Sequence, residues 1–439
     1  MSHSLSKKFT FGSLLLFALP TTIMMVVMSL YTIVDGVFVS RFVSTNALSS
    51  VNIVYPVINI VLGISVMLST GSNAIVAKKM GEGRPDSARE TFTTIILLNI
   101  IIGLVFAVLG NLAAVPLSRM LGASDLLLKD CVTYLRWQLA FAPSLMLQIQ
   151  FQMFFVTEGK PGIGLFLTLL AGIANAVLDY VLIVPMGMGI AGAAIATVTG
   201  YSIPALIGLI YFAAARKSLW FVRPRIVKKE LGETCLNGSS EMVTNLSSGV
   251  ITFLFNLLMM HFAGEDGVAA ITIIQYSQFL LNALFMGFSQ GVSPVISFNQ
   301  NHQQLRQVFK TSLIFTAASS LAVFLMAQLG GSLVVEIFAR RGTPVYELAR
   351  HGFMIFACSF LFSGFTIFAS ALFTALSDGR ISAIISFVRT FGLIITSLLV
   401  LPFIIGMDGV WLAIPIAEFG GILLCLYFLR KYRTKYHYA

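Results

Sequence analysis

Twelve apolar stretches, each at least as long as the roughly 20 residues a helix needs to cross a bilayer, constrain this chain of 439 residues more than any other feature. They run over about 11–40, 50–77, 91–117, 130–156, 161–185, 190–214, 241–262, 268–298, 310–334, 348–376, 381–405 and 409–429. With no water inside lipid, backbone groups must bond within their own segment, so each stretch is expected as a helix. At 57% hydrophobic and 10% charged, with mean hydropathy +0.90, the chain lacks the polar surface a soluble globule turns to water. Disorder and a secreted disulfide scaffold are excluded by the same numbers, and the four cysteines (Cys131, Cys235, Cys358, Cys425) form no CxxC pair. The expected fold is an all-α polytopic membrane protein.

Orientation follows from the cations. With the N-terminus inside, 20 of the 28 Lys and Arg fall on the cytoplasmic face, which places both termini in the cytoplasm of a prokaryotic plasma membrane. The net charge of +10 is thereby assigned to the inner membrane surface and not to nucleic acid. The polar stretch around Arg216–Ser240 divides the spans six and six. Offset by 220 residues, the halves align Gly12, Gly71, Gly110, Gly122, Gly159, Gly172, Gly189 and Gly200 on Gly232, Gly291, Gly330, Gly342, Gly379, Gly392, Gly409 and Gly420. Chance gives about 1.5 such matches, so the halves are repeats. Six spans per repeat is even, which makes the expected architecture two six-helix bundles related by a pseudo-two-fold axis along the membrane normal around a central cleft. Residues 1–215 form the N-terminal bundle, 216–240 a cytoplasmic linker loop, and 241–439 the C-terminal bundle with a short basic tail.

Of the 18 acids, only Asp35, Asp179 and Glu418 lie well inside spans, where a carboxylate costs at least ~2.5–3.5 kcal/mol. Asp35 and Asp179 both sit about 8–9 Å below the outer surface, Thr197 about 10 Å, and Asn175 one helical turn from Asp179. Such an oxygen-rich group suits a proton or a hard monovalent cation such as Na⁺. The bland alternative has each acid bonding a neighbouring helix on its own. Under the repeat offset the four positions become Phe255, Leu399, Ala417 and Ile395, so the cluster belongs to the N-terminal half alone. Glu418 in span 12 and Arg389 in span 11 differ in depth by about 5 Å, within reach of a buried ion pair, and a substrate-facing role stays open for them. Tyr31, Gln148, Gln150, Gln152, Gln275, Gln278 and Asn282 are candidates for a substrate surface, and 18 methionines offer adaptable contacts.

Asp35-Gly-Val-Phe-Val, Asn46-Ala-Leu, Pro56, Gly71, Gly81-Glu-Gly-Arg84, Asn175-x-x-x-Asp179, Gly192-Ala-Ala-x-Ala-Thr197 and Gly409-Val-Trp-x-Ala-x-Pro-x-Ala-Glu418 run nearly the whole chain. Together they resemble the multidrug and toxic compound extrusion (MATE) family, the MepA-type branch in particular. The resemblance implies two bundles around a V-shaped cleft and rocker-switch efflux of bulky amphipathic, cationic or aromatic compounds in exchange for H⁺ or Na⁺. It also implies a secondary antiporter without cofactor, and coupling residues at Asp35, Asn175, Asp179 and Thr197. The partners expected are small organic substrates and the bilayer, with no nucleic acid and a functional monomer. The sequence departs from the branch with an acid in span 7. There it reads Asn245-Leu-Ser-Ser-Gly249, with Glu241 at the inner end, and Ser40 stands where glycine is commoner.

Other classes fit less well. A flippase for a lipid-linked saccharide needs a basic cleft, for which only Arg389 and Arg136 are candidates. An intramembrane enzyme finds no support, because His3, His261, His302, His351 and His437 lie in tails, loops or span ends without metal-binding spacing. No phosphate-binding GxxxxGK[ST] loop is present.

Overall fold

The structure, a computed structural model, describes residues 9–38, 42–43, 45–214, 218–299 and 304–438, without the side chains of 31–38, 45, 46, 48, 49 and 265. The first half comprises α1 (Phe11–Phe38), α2 (Thr45–Gly81), α3 (Pro85–Leu112), the short α4 (Ala114–Met120), α5 (Leu128–Ala140), α6 (Ala142–Thr157), α7 (Pro161–Ile183) and α8 (Gly189–Ala214). The second comprises α9 (Lys228–Phe298), α10 (Leu305–Phe338), α11 (Pro344–Phe356), α12 (Phe360–Ala375), α13 (Gly379–Phe387), α14 (Ile395–Ile405) and α15 (Met407–Tyr436). Every regular element among the described residues is helical. Among the described residues, eleven helical segments are long and apolar enough to span a bilayer, or twelve when α5 and α6, bent by 51°, are taken as one span.

The breaks have local causes. Pro143 opens α6 and supplies no N–H to the turn behind it, and Gly103 of α3 fits against that bend, where a Cβ would lie 2.5 Å from the Pro143 Cα. Gly264 at φ 62°, ψ −146° divides α9 into two spans, a backbone geometry open only to glycine. The repeat is visible in three dimensions. Helices α3 and α10 begin 220 residues apart, and the fourth span of each half is interrupted, at Phe141 and at the 3₁₀ turn Ala357–Ser359. Gly122 and Gly342, paired by the offset, both turn with positive φ, 96° and 80°.

The chain forms two compact units. Among the described residues, one comprises those of 23–238 and the other those of 9–22 and 239–438, so the boundary between the units falls inside α1 and again inside α9. The first is cored by apolar residues of α2, α5, α6 and α8, including Leu68, Leu135 and Ala194. The second centres on Phe285, Phe353, Phe356, Phe360 and Trp411.

The polar stretch 216–240 is not all loop, since the backbone is helical from Lys228. Its polarity reflects bonding to the first unit. Glu158 accepts the N–H groups of Ser218 (3.1 Å) and Leu219 (2.9 Å), and Thr93 and Thr94 accept those of Val222 and Arg225. The Arg89 guanidinium stacks 3.4 Å from the Trp220 ring, and Glu230 takes Lys79 Nζ at 2.7 Å. Gly238 packs so tightly on α2 that a Cβ there would fall 1.8 Å from the Met67 carbonyl oxygen.

Candidate functional site

Helices α7 and α8 are joined by the short turn 184–188 and pack closely because α8 presents Gly192, Ala193, Ala194, Ala196 and Gly200. A Cβ on Gly200 would meet the Ala171 carbonyl oxygen and Asn175 Cβ, each at 3.5 Å. This approach seals three polar side chains in the first unit: Asn175, Asp179 and Thr197 are 2%, 1% and 4% exposed. Asn175 Nδ2 donates to Asp179 Oδ2 at 3.0 Å, and its Oδ1 accepts from the Thr197 backbone N–H at 3.1 Å. The Thr197 hydroxyl donates to the Ala193 carbonyl at 2.9 Å, which leaves its oxygen lone pairs for a cation.

Three of the four residues expected to act together are therefore linked, Asn175 bonding both the Asp179 carboxylate and the Thr197 backbone N–H, and they bring carboxylate, amide and hydroxyl oxygens into one buried cluster. Such donors suit a proton or a hard monovalent ion. Among the described residues, no three His, Cys, Asp or Glu side chains gather as they would around a divalent metal. Asp35 and Tyr31 lie on α1, in the part of it belonging to the same unit, and their side chains fall outside the described residues.

The glutamines of α6 face inward among helices. Gln152 Nε2 donates to Thr168 Oγ1 at 2.9 Å; Gln150 bonds Ser72 and Asn99; Gln148 is 6% exposed. These amides hold α6 against α2, α3 and α7, so Gln152 would have to leave Thr168 to touch a substrate. On α9, Gln275, Gln278 and Asn282 are half-buried, and Asn282 Oδ1 accepts from Ser363 Oγ at 3.5 Å.

Glu418 and Arg389 do meet. Arg389 Nε lies 2.9 Å from Glu418 Oε1, and Thr366 Oγ1 donates to Oε2 at 2.6 Å. Arg389 sits in a π-helical segment, Val388–Ile394, a local widening that often marks functional positions. Gly421 lets α15 pass close to the arginine stem, since a Cβ there would meet Thr366 Cγ2 at 3.0 Å and Arg389 Cγ at 3.8 Å. Thr366 escaped the sequence reading. The signal was there in Ser363, Thr366, Ser370 and Thr374, which recur every three or four residues on α12 and so share one face.

A family model described as MatE matches residues 20–181 and 242–399. The multidrug export protein MepA of Staphylococcus haemolyticus (strain JCSC1435) is 22% identical over 433 residues, covering 97% of this chain and 94% of the relative. The FAD transporter of Shewanella oneidensis is 22% identical over 431 residues, covering 95% and 94%. The crystal structure of a MATE in complex with MaL6 superposes with a TM-score of 0.93 at 20% identity over 100% of both chains, which establishes the shared fold. Since the family match extends over most of both halves, the chain belongs to the MATE family and is a multi-pass membrane efflux transporter, not an enzyme.

Proposed function

We propose that the protein is a secondary antiporter that exports amphipathic or cationic organic compounds in exchange for H⁺ or Na⁺ by rocker-switch alternating access. The observation that carries this reading is the buried Asn175–Asp179–Thr197 cluster of the first unit, whose repeat counterparts are Ile395, Leu399 and Ala417. That the aligned second half lacks this oxygen cluster argues for a coupling role, because a packing device would be expected in both. Asp35, on the α1 segment of the same unit, supplies the second carboxylate. The distribution of Lys and Arg supports cytoplasmic termini in a prokaryotic plasma membrane, and each chain carries a complete pair of repeats, so a monomer suffices.

The test is efflux of ethidium from proteoliposomes with the pH and Na⁺ gradients imposed separately, in wild type, Asp35→Asn and Asp179→Asn. Ion-driven efflux in wild type that is lost in both variants, at unchanged protein level and melting temperature, is the expected outcome. Gradient-driven efflux that persists in Asp179→Asn would refute the assignment. Because one relative is named an FAD transporter, FAD loaded in place of ethidium separates the two cargo classes. FAD export without ethidium export would overturn the proposed substrate class while leaving the coupling site in place.

A further inference from the structure

The second unit contains a buried polar seam that the cluster near Asp179 does not account for. At its head is the Glu418–Arg389 pair with Thr366. Below it, Ser386 Oγ and Ser370 Oγ are 3.1 Å apart, Ser370 and Ser382 3.0 Å, Ser382 and Thr374 Oγ1 2.7 Å, and Thr374 and Ser240 3.4 Å. All of these hydroxyls are buried, and in each pair either oxygen can be the donor. Serine and threonine inside apolar helices ordinarily bond back to their own carbonyl four residues earlier, as Thr272 and Ser277 do on α9. Here the hydroxyls also meet across α9, α12 and α13, with Thr374 (3.2 Å) and Ser382 (2.9 Å) both within donating distance of the Ser370 carbonyl as well. From Ser370 to Thr366, and from Ser386 to Arg389, the remaining step is one helical turn, about 5–6 Å between Cβ atoms, a gap that a relay would cross through one water molecule. The foot lies where α12 turns into α13, beside Asp378, which accepts Lys435 Nζ at 3.0 Å.

Subtracting the repeat isolates this seam as sharply as it isolates the first cluster. Thr366, Ser370, Thr374, Ser382, Ser386, Arg389 and Glu418 align with Met146, Gln150, Phe154, Gly162, Phe166, Leu169 and Val198. The first half keeps one polar residue on this face, Gln150, and ties span 4 to span 5 through Gln152 and Thr168, but it carries neither the row of hydroxyls nor the buried ion pair. We propose that the seam is a second, proton-specific coupling element, in which Glu418 takes up and releases a proton along the hydroxyl chain that ends at Ser240. The inference extends the antiporter reading to residues that reading does not use.

The chemistry balances at each atom. A proton reaching Glu418 Oε2 converts the carboxylate to the acid. The Thr366 hydroxyl, which now donates to Oε2, swings its hydrogen to the Ser363 carbonyl 3.0 Å away and accepts the new O–H. Arg389 keeps its charge, and Glu241 of α9 is near enough to feel its field. The groups around Glu418 that carry or can take charge are therefore Arg389 on the π-helical segment, Glu241 on α9, and Cys425 two turns further along α15. Hydroxyls relay protons and bind Na⁺ poorly when bonded to one another, so the element is selective for H⁺.

Infrared difference spectroscopy on the full-length transporter in bilayers, stepped between high and low pH, reads Glu418 directly. The expected result is a protonated-carboxyl band present in wild type and Asp179→Asn and absent in Glu418→Gln. Its rise after the pH step should slow at least on the order of tenfold, about 1.4 kcal/mol of barrier, in Ser370→Ala/Ser382→Ala, which removes three relay contacts. An unchanged band in Glu418→Gln, or no such band in wild type, overturns the proposal. Should Glu418→Gln not fold, the serine variant decides: a rise as fast as in wild type also overturns it. Ethidium efflux driven by pH in the same preparations reports on the antiporter reading separately, so the two can fail independently.

Discussion

Replacing Arg389 with methionine removes the one cation that Glu418 contacts among the described residues. Glu418 is 1% exposed, its Oε1 lies 2.9 Å from Arg389 Nε, and its other oxygen is held by Thr366. Removing one partner of a buried pair destabilises by about 3–5 kcal/mol. An independent route gives a similar figure, because a stranded carboxylate escapes its charge by binding a proton, and doing so at pH 7 against a reference near 4.3 costs about 3.7 kcal/mol. The second route adds a sign. The folded variant then holds a proton that the unfolded chain lacks, so its stability rises as pH falls, by about 1.4 kcal/mol per unit between pH 7 and about 5. Glu418→Leu strands Arg389 in turn and should also destabilise the protein. The double variant Arg389→Met/Glu418→Leu leaves Glu241 without Arg389 but removes the stranded Glu418, and should regain a large share of the loss. Unfolding by SDS in mixed micelles, followed by helical circular dichroism at pH 7 and pH 5, measures all four forms. An Arg389→Met penalty that grows on acidification, or additivity of the two single changes, would refute the reasoning.

Gly238→Ala should destabilise by at least about 1–3 kcal/mol, because the obstructing atoms belong to the Met67 backbone and cannot rotate away; Gly12→Ala, with nothing within 4 Å, should be neutral or stabilise by up to about 1 kcal/mol, and melting curves that rank the two the other way would contradict the packing described. Glu158→Ala frees the Ser218 and Leu219 N–H groups and should speed proteolysis within 218–227 on the order of tenfold, about 1.4 kcal/mol of lost anchoring, which timed digestion reads. A cysteine at position 223 of a cysteine-free variant should resist impermeant thiol reagents in intact cells and react once the membrane is opened. Rapid labelling from outside would invert the topology inferred from the cations.

The membrane fold was legible because hydropathy and an eight-glycine repeat are properties of composition and order that survive without knowledge of contacts. The polar helix start at Lys228 was not, since Glu230, Thr234 and Asn237 read as loop until Lys79 and Thr91 are seen to bond Glu230 and the first unit to bury the other two. Pairwise depth arithmetic found both Asn175 with Asp179 and Arg389 with Glu418, because rise per residue fixes height in a membrane helix. It could not choose azimuth. The α6 glutamines share the right depth for a substrate surface, yet point among neighbouring helices, where Gln152 bonds Thr168.

Azimuth becomes readable when two periodicities are combined. On α12 the three-and-four spacing of Ser363, Thr366, Ser370 and Thr374 fixes one face, and the repeat offset replaces most of that face in the first half by residues of other chemistry: Pro143, Met146, Gln150 and Phe154. The same subtraction applied to α7 and α8 leaves Asn175, Asp179 and Thr197. Each half has thus kept the glycines that let helices approach and acquired one polar track the other lacks. Duplication supplies two equivalent scaffolds, and buried polarity is too costly to retain in either without a use. On the proposed reading the two tracks mark where the halves have diverged in function, and each can be removed by substitution while the other repeat serves as its internal control.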